Sequence, residues 1–136
     1  MQNLIKNGLA ILLKNINFEN VATTETKKIN YVDQFKTVFI EPDFAEFEIT
    51  RLVSVDIRHA YNLKVVAGVQ VFAKDGIDLT KSLNEKVIEE NRNTISSTVM
   101  NFISALVTQI TGSFNEIPII TPPSLKLEET NQQKNK

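Results

Sequence analysis

The sequence predicts one α+β domain, in which an antiparallel sheet of four strands is followed by a long helix packed on one face. Two stretches, Phe47 to Ile57 and Leu63 to Ala73, alternate apolar and polar residues as half-buried strands do. After Asp78 the apolar period lengthens to that of a helix and holds to Gly112. A chain of 136 residues is long enough to bury a single core without metal or disulfide staples.

The first strand, about Leu9 to Phe18, is apolar on both sides at its start, so alternation does not choose its inward face. Such a strand suits pairing with another chain. Ala22 to Asp33 is rich in Thr, Lys and Asn without apolar rhythm and reads as a long crossover. A short strand near Phe35 to Ile40 follows, ended by Glu41-Pro42-Asp43. In the next strand Phe47, Ile49, Arg51, Val53, Val55 and Ile57 share one side, while Glu46, Glu48, Thr50, Ser54, Asp56 and Arg58 share the other. Leu63, Val65, Ala67, Val69, Val71 and Ala73 repeat that pattern, so the two form a hairpin with His59 to Asn62 as the connection. Asp75-Gly76 closes the sheet.

Ser82 and Glu85 are spaced as a capping box, and Gly112 stands where a helix C-terminus belongs, which predicts one long helix. Ile88, Ile95, Val99, Phe102, Ile103, Leu106 and Ile110 form one stripe. Met100, Val107 and Phe114 widen its arc to about 160°, beyond the ~100° that packing on one sheet demands. The surplus fits another subunit, with Met100 and Val107 as interface candidates, and equally a helix wrapped by its own chain. The domain is assigned to residues 1–124, and the polar remainder, 125–136, is expected to be a disordered tail.

A net charge of −1 leaves no basic field for phosphate, which argues against nucleic acid. The absence of cysteine removes thiolate metal sites, disulfides and cysteine nucleophiles, and it fits a reducing compartment, the cytoplasm by default. Lys6 followed by Gly8 to Leu13 imitates a signal peptide, but Lys14 breaks the apolar run and no small-residue cleavage site follows, so the segment reads as mature protein. The stretch from Val99 to Ile110 is interrupted by Asn101, Ser104, Thr108 and Gln109, which argues against membrane insertion.

Signals for catalysis are sparse. The single histidine, His59, lies near a strand end, and Asp56, three residues earlier, points to the opposite strand face. Glu46 and Glu48 share a face, which a solvated sheet explains more readily than paired acid–base chemistry. No glycine-rich phosphate loop, nucleophile elbow or metal-spaced cluster is present, so no enzyme, cofactor or metal is expected. Leu52, Val66 and Phe72 on the wet hairpin face, with Tyr31 and Phe35 at the crossover, are apolar residues without an evident internal use, which points to binding.

Two segments resemble one family. The run from Ile11 to Glu19 resembles the first strand of the SecB protein-export chaperones, where a Lys-Asp-Ile-Ser-Phe-Glu-like run is typical; Lys14, Ile16, Phe18 and Glu19 match, while Asn15 replaces the aspartate and Asn20-Val21 the usual small residue and proline. The stretch from Ile103 to Val107, continuing through Phe114 to Ile117, Ile119 and Pro122, is similar to that family's helix end and its Phe-Pro-x-Leu-x-Leu-x-Pro segment. Asn115 replaces the first proline, and the last comes one residue late. The resemblance implies a homotetramer built as a dimer of dimers and ATP-independent capture of unfolded or preprotein polypeptides in apolar grooves. It makes Tyr31, Phe35 and Phe72 candidate groove walls and Glu19 part of an acidic surface docking the SecA motor, a docking that Asn15 weakens. A chaperone dedicated to one client, such as an antitoxin, is the nearest alternative. A hot-dog-like enzyme or ligand-binding domain using Asp56 or His59 is a further one, opposed by the late position of the helix.

Overall fold

A computed structural model describes residues 1–57, 59–114 and 117–128. Four strands, β1 (Ile5–Val21), β2 (Lys28–Ile40), β3 (Phe44–Asp56) and β4 (Ala60–Ala73), precede the helices α1 (Leu79–Ser82), α2 (Glu85–Glu90) and α3 (Arg92–Phe114). The strands form one antiparallel sheet in the order β1-β4-β3-β2. β2, β3 and β4 are joined as successive hairpins, and β1 reaches β4 because residues 22–27 cross over the end of the β3–β4 hairpin.

Asp56 fixes that crossover. Its carboxylate accepts from the hydroxyls of Thr23 (2.6 Å) and Thr24 (2.6 Å), from the Thr24 amide (3.0 Å) and from Thr26. These donors, Thr23 foremost, hold Asp56 well below the usual carboxylate range. Because the folded state lowers this pKa, the associated stability is complete above the unfolded value near 3.8 and declines as pH falls below it. Asp56→Asn should therefore flatten the stability profile below about pH 4 and speed amide exchange at Thr24 and Thr26. Parallel profiles for variant and wild type below that pH would disprove the role.

β1 and β2 are longer than expected. The predicted crossover shrinks to residues 22–27, because β2 already begins at Lys28, and β4 begins at Ala60 rather than Leu63. In β2 the inward series is Ile29, Tyr31, Asp33 and Phe35, opposite Val55, Val53, Arg51 and Ile49 of β3. The aspartate in that series hides the alternation.

The two-sided pattern of β1 also has a geometric cause. Leu9, Ile11 and Leu13 lie opposite the inward residues Val71, Val69 and Ala67, whereas Ile16 and Phe18 lie opposite Val65 and Leu63. The register shifts between Leu13 and Asn15, so a bulge at Lys14 transfers the inward face from odd to even positions. The Lys14 side chain crosses β4 over Gly68, where an added Cβ would stand 2.9 Å from Lys14 Cε.

The core lies between the odd-numbered face of β3 and β4 and the helix. Phe47, Ile49, Leu63, Val65 and Val69 are fully buried against Ile95, Val99 and Ile103. Met100 and Val107 are also fully buried, so the interface assigned to these two side chains is corrected: they pack into the chain's own core. The single long helix is corrected as well. The Asn84 side chain, rather than the Ser82–Glu85 pair, caps α2 by accepting from the Val87 amide at 2.9 Å, and Asp78 caps α1. Leu79 and Leu83 are buried where the chain turns between them.

Residues 117–128 form an irregular strap running back along α3. The Thr108 hydroxyl donates to Ile119 O (3.0 Å), the Ile119 amide to Thr111 Oγ1 (2.7 Å), and the Ser104 hydroxyl to Thr121 O. Gly112 lies inside α3 and serves this packing, since a Cβ there would meet Pro118 Cγ at 3.2 Å. The strap ends on β2, where the Asp33 amide donates to Lys126 O at 2.7 Å. The expected tail thus begins with an anchored stretch, 125–128, including Leu125 packed on the core. The rest of that expectation, 129–136, lies outside the described residues.

Candidate functional site

The inner face of the sheet carries two apolar regions that the core leaves incompletely used. One follows β1. Leu13 and Ile16 point inward yet remain 47% and 41% exposed, flanked by the half-buried Leu9, Ile11 and Phe18. Thr94 and Thr98 of α3 share a cleft with Met1, Ile5 and Leu9, which turns that flank of the helix toward β1. Phe102 and Leu106, four and eight residues beyond Thr98, continue the same flank and are half-buried. These residues place partly exposed apolar side chains along the β1 edge of the inner face. Phe18 stacks on Tyr61 at 4.7 Å, and the buried Tyr61 hydroxyl has no hydrogen-bond partner among the described residues, so burial raises its pKa.

The other region lies between β2 and α3, beneath the strap. Phe35 stacks on Phe47 at 5.6 Å. The Tyr31 ring is held between the Arg51 guanidinium, 4.7 Å from its centroid, and Lys126 Nζ at 4.6 Å. Arg51 and Asp33 are both completely buried in a bidentate pair, Nε to Oδ1 and Nη2 to Oδ2, each 2.7 Å. The remaining guanidinium protons go to the strap: Nη1 to Thr121 Oγ1 (2.8 Å) and Pro122 O (2.8 Å), Nη2 to Ser124 O (2.9 Å). Sequence reasoning missed this clasp. Its signal was Arg51 standing among the inward residues of β3, which requires a buried acceptor, and Asp33 is the facing acid.

The structure does not bring the three proposed groove residues together. Tyr31 and Phe35 share the inner face of β2, whereas Phe72 is on the outer face of β4. There Phe72 stacks on Phe44 (6.4 Å), which meets Phe39 edge-on (5.2 Å), beside a cleft of about 720 Å³ bordered by Lys6, Asp43 and Lys74. Leu52 and Val66 do not join it, because Leu52 lies opposite Val32 and Lys64, and Val66 is buried between β1 and β3. Phe72 is therefore removed from the inner groove.

The outer face is largely charge-neutral at its centre. Lys14 Nζ bonds Glu46 and, at 2.9 Å, Glu48, while Gln70 donates to Glu46 at 2.9 Å and Lys36 approaches Glu48 at 3.4 Å. The Lys14 ammonium holds both carboxyls below their ordinary range, and Glu46 in turn raises Lys14. Neither carboxyl is poised as a general acid. Glu19 is exposed on the same face, in a shallow depression with Asn17, Leu52 and Lys64. His59 is an exposed turn residue, and Asp56 is committed to the crossover. Among the described residues no cluster of three or more His, Cys, Asp or Glu could hold a metal, and no helix is long and apolar enough to cross a membrane.

A four-stranded antiparallel sheet with this element order, backed by a C-terminal helix, is the SecB-like fold. The chain matches the SecB-like chaperone Rv1957 of Mycobacterium tuberculosis, solved with a ChAD peptide from the Rv1956 HigA1 antitoxin, at a TM-score of 0.60 and 12% identity over 83% of this chain and 86% of that one. A protein of unknown function from Streptococcus agalactiae aligns at a TM-score of 0.45 and 10% identity over 90% and 98% of the two chains. No family model and no curated protein matches the sequence.

Proposed function

We propose that the chain is a SecB-like, ATP-independent holdase that binds unfolded polypeptides. The observation that carries this reading is the exposed apolar surface along β1, where Leu13 and Ile16 stay exposed on the side of the sheet that otherwise forms the core. The shared fold with a SecB-like chaperone supports it. Exposed apolar surface beside an edge strand suits an extended chain, whose backbone pairs with the edge while its side chains lie on that surface.

The same reading includes homo-oligomerisation, a dimer of dimers by resemblance. From Asn93 to Phe114 helix α3 has no charged residue, and its exposed positions, among them Thr94, Asn101, Ala105 and Gln109, are small or uncharged. A helix face meant only for water usually carries Lys and Glu. Catalysis has no part in this reading. Docking of SecA would have to use Glu19 on a face where Lys14 already offsets Glu46 and Glu48.

The test is aggregation of a denatured model protein diluted from guanidinium, followed by light scattering without ATP. Suppression by an equal subunit concentration is expected, and aggregation unchanged by a several-fold excess would sink the general holdase. A single-client chaperone is the second reading, favoured because the Mycobacterium tuberculosis neighbour was solved with an antitoxin peptide. It predicts no general suppression together with stable binding to one partner encoded nearby.

A further inference from the structure

We propose that Arg51 and Asp33 form a binding site for the main chain of an unstructured polypeptide, that residues 121–126 are its resident ligand, and that a client segment can take their place. This rests on the reading of the chain as a polypeptide binder and assigns a site to that activity.

The clasp recognises its occupant almost entirely through backbone. Arg51 reads the carbonyls of Pro122 and Ser124, Asp33 Oδ2 accepts the Lys126 amide at 2.8 Å, and the Asp33 amide donates to Lys126 O. Only the Thr121 hydroxyl is a side-chain contact to the guanidinium. Such a set is indifferent to sequence but selective for conformation. Helices and sheets use their own carbonyls, so two free acceptors this close together are found where the chain has no regular structure. Tyr31 adds an aromatic wall.

The guanidinium is fully satisfied only with an occupant in place. Asp33 satisfies two of the guanidinium's N–H groups, and the strap satisfies the other three. When the strap lifts, three N–H groups of Arg51 lose their protein acceptors to water, and a second main chain that offers the same carbonyls restores them. The strap is built to yield: Ile120 is 82% exposed and Pro122 to Ser124 are exposed, so little apolar surface holds its central part. Client and strap therefore compete for one site, and an empty chaperone keeps Tyr31 and Arg51 covered.

The test uses the full chain and a fluorescein-labelled peptide with the sequence of residues 117–128. Thr121→Val in the protein removes the resident strap's side-chain hydrogen bond to the guanidinium and leaves Arg51 and Asp33 intact. The peptide should then bind about tenfold tighter than to wild type, the factor carried by one charge-assisted hydrogen bond. Thr121→Ser, which keeps the hydroxyl, should match wild type. Amide exchange at Lys126 should accelerate at least tenfold when a reduced, carboxymethylated polypeptide of unrelated sequence is bound. A client that binds while Lys126 stays protected overturns the exchange and leaves the holdase reading standing. Peptide binding strengthened by Thr121→Val, in a protein that captures no other polypeptide, supports the site and overturns the holdase reading.

Discussion

Replacing Arg51 by methionine is expected to destabilise the fold by about 3–5 kcal/mol, the cost of leaving a buried charge without its partner. The guanidinium and the Asp33 carboxylate are both completely buried, so water cannot compensate either one, and the strap loses its contacts at Thr121, Pro122 and Ser124 together. The urea midpoint should fall with little change in slope. Asp33→Leu alone should be comparably harmful, but the double variant should regain much of the loss, because removing both charges abolishes the desolvation problem along with the attraction. An Arg51→Met protein within about 1 kcal/mol of wild type, the scale of a surface ion pair, would show that the clasp is solvated in solution.

Met100→Ala should cost about 2–5 kcal/mol, the range for truncating a fully buried side chain and leaving a cavity. Because Met100 packs inside the chain's own core, the loss should appear in urea or thermal unfolding and should not depend on subunit concentration. A variant that kept its unfolding midpoint but lost self-association, measured by sedimentation, would instead return Met100 to an interface between subunits.

These two residues show where sequence reasoning holds and where it stops. The inward series of β3 and β4 was readable because the helix covers that face along both strands, so every inward residue except Arg51 is apolar. The same alternation was lost in β2 and β1, the two edge strands. In β2 an inward aspartate replaces an apolar residue because Arg51 faces it across the strand pair. In β1 the bulge at Lys14 reverses the inward side partway along. The breadth of the apolar arc on α3 was visible, but its reason was not: Met100 and Val107 go into the core, while Phe102 and Leu106 stay half-buried on the flank beside it. Of the groove candidates, Tyr31 and Phe35 share one surface, and Phe72, read correctly on the wet face, was grouped with them because residues 22–33 read as a crossover and gave Tyr31 no face.

What the amino-acid sequence determined by itself is the α+β class, the order of strands before helix and the inward residues of the central hairpin, all set by local periodicity of apolar side chains. The tertiary structure alone decided that β1 lies beside β4, that residues 117–128 run back along α3 to anchor on β2, and that Arg51 and Asp33 meet. The physical reason is range. Periodicity reports on neighbours a few residues apart, whereas the clasp joins positions 33, 51 and 121–126, and its energy exists only when all of them are buried together.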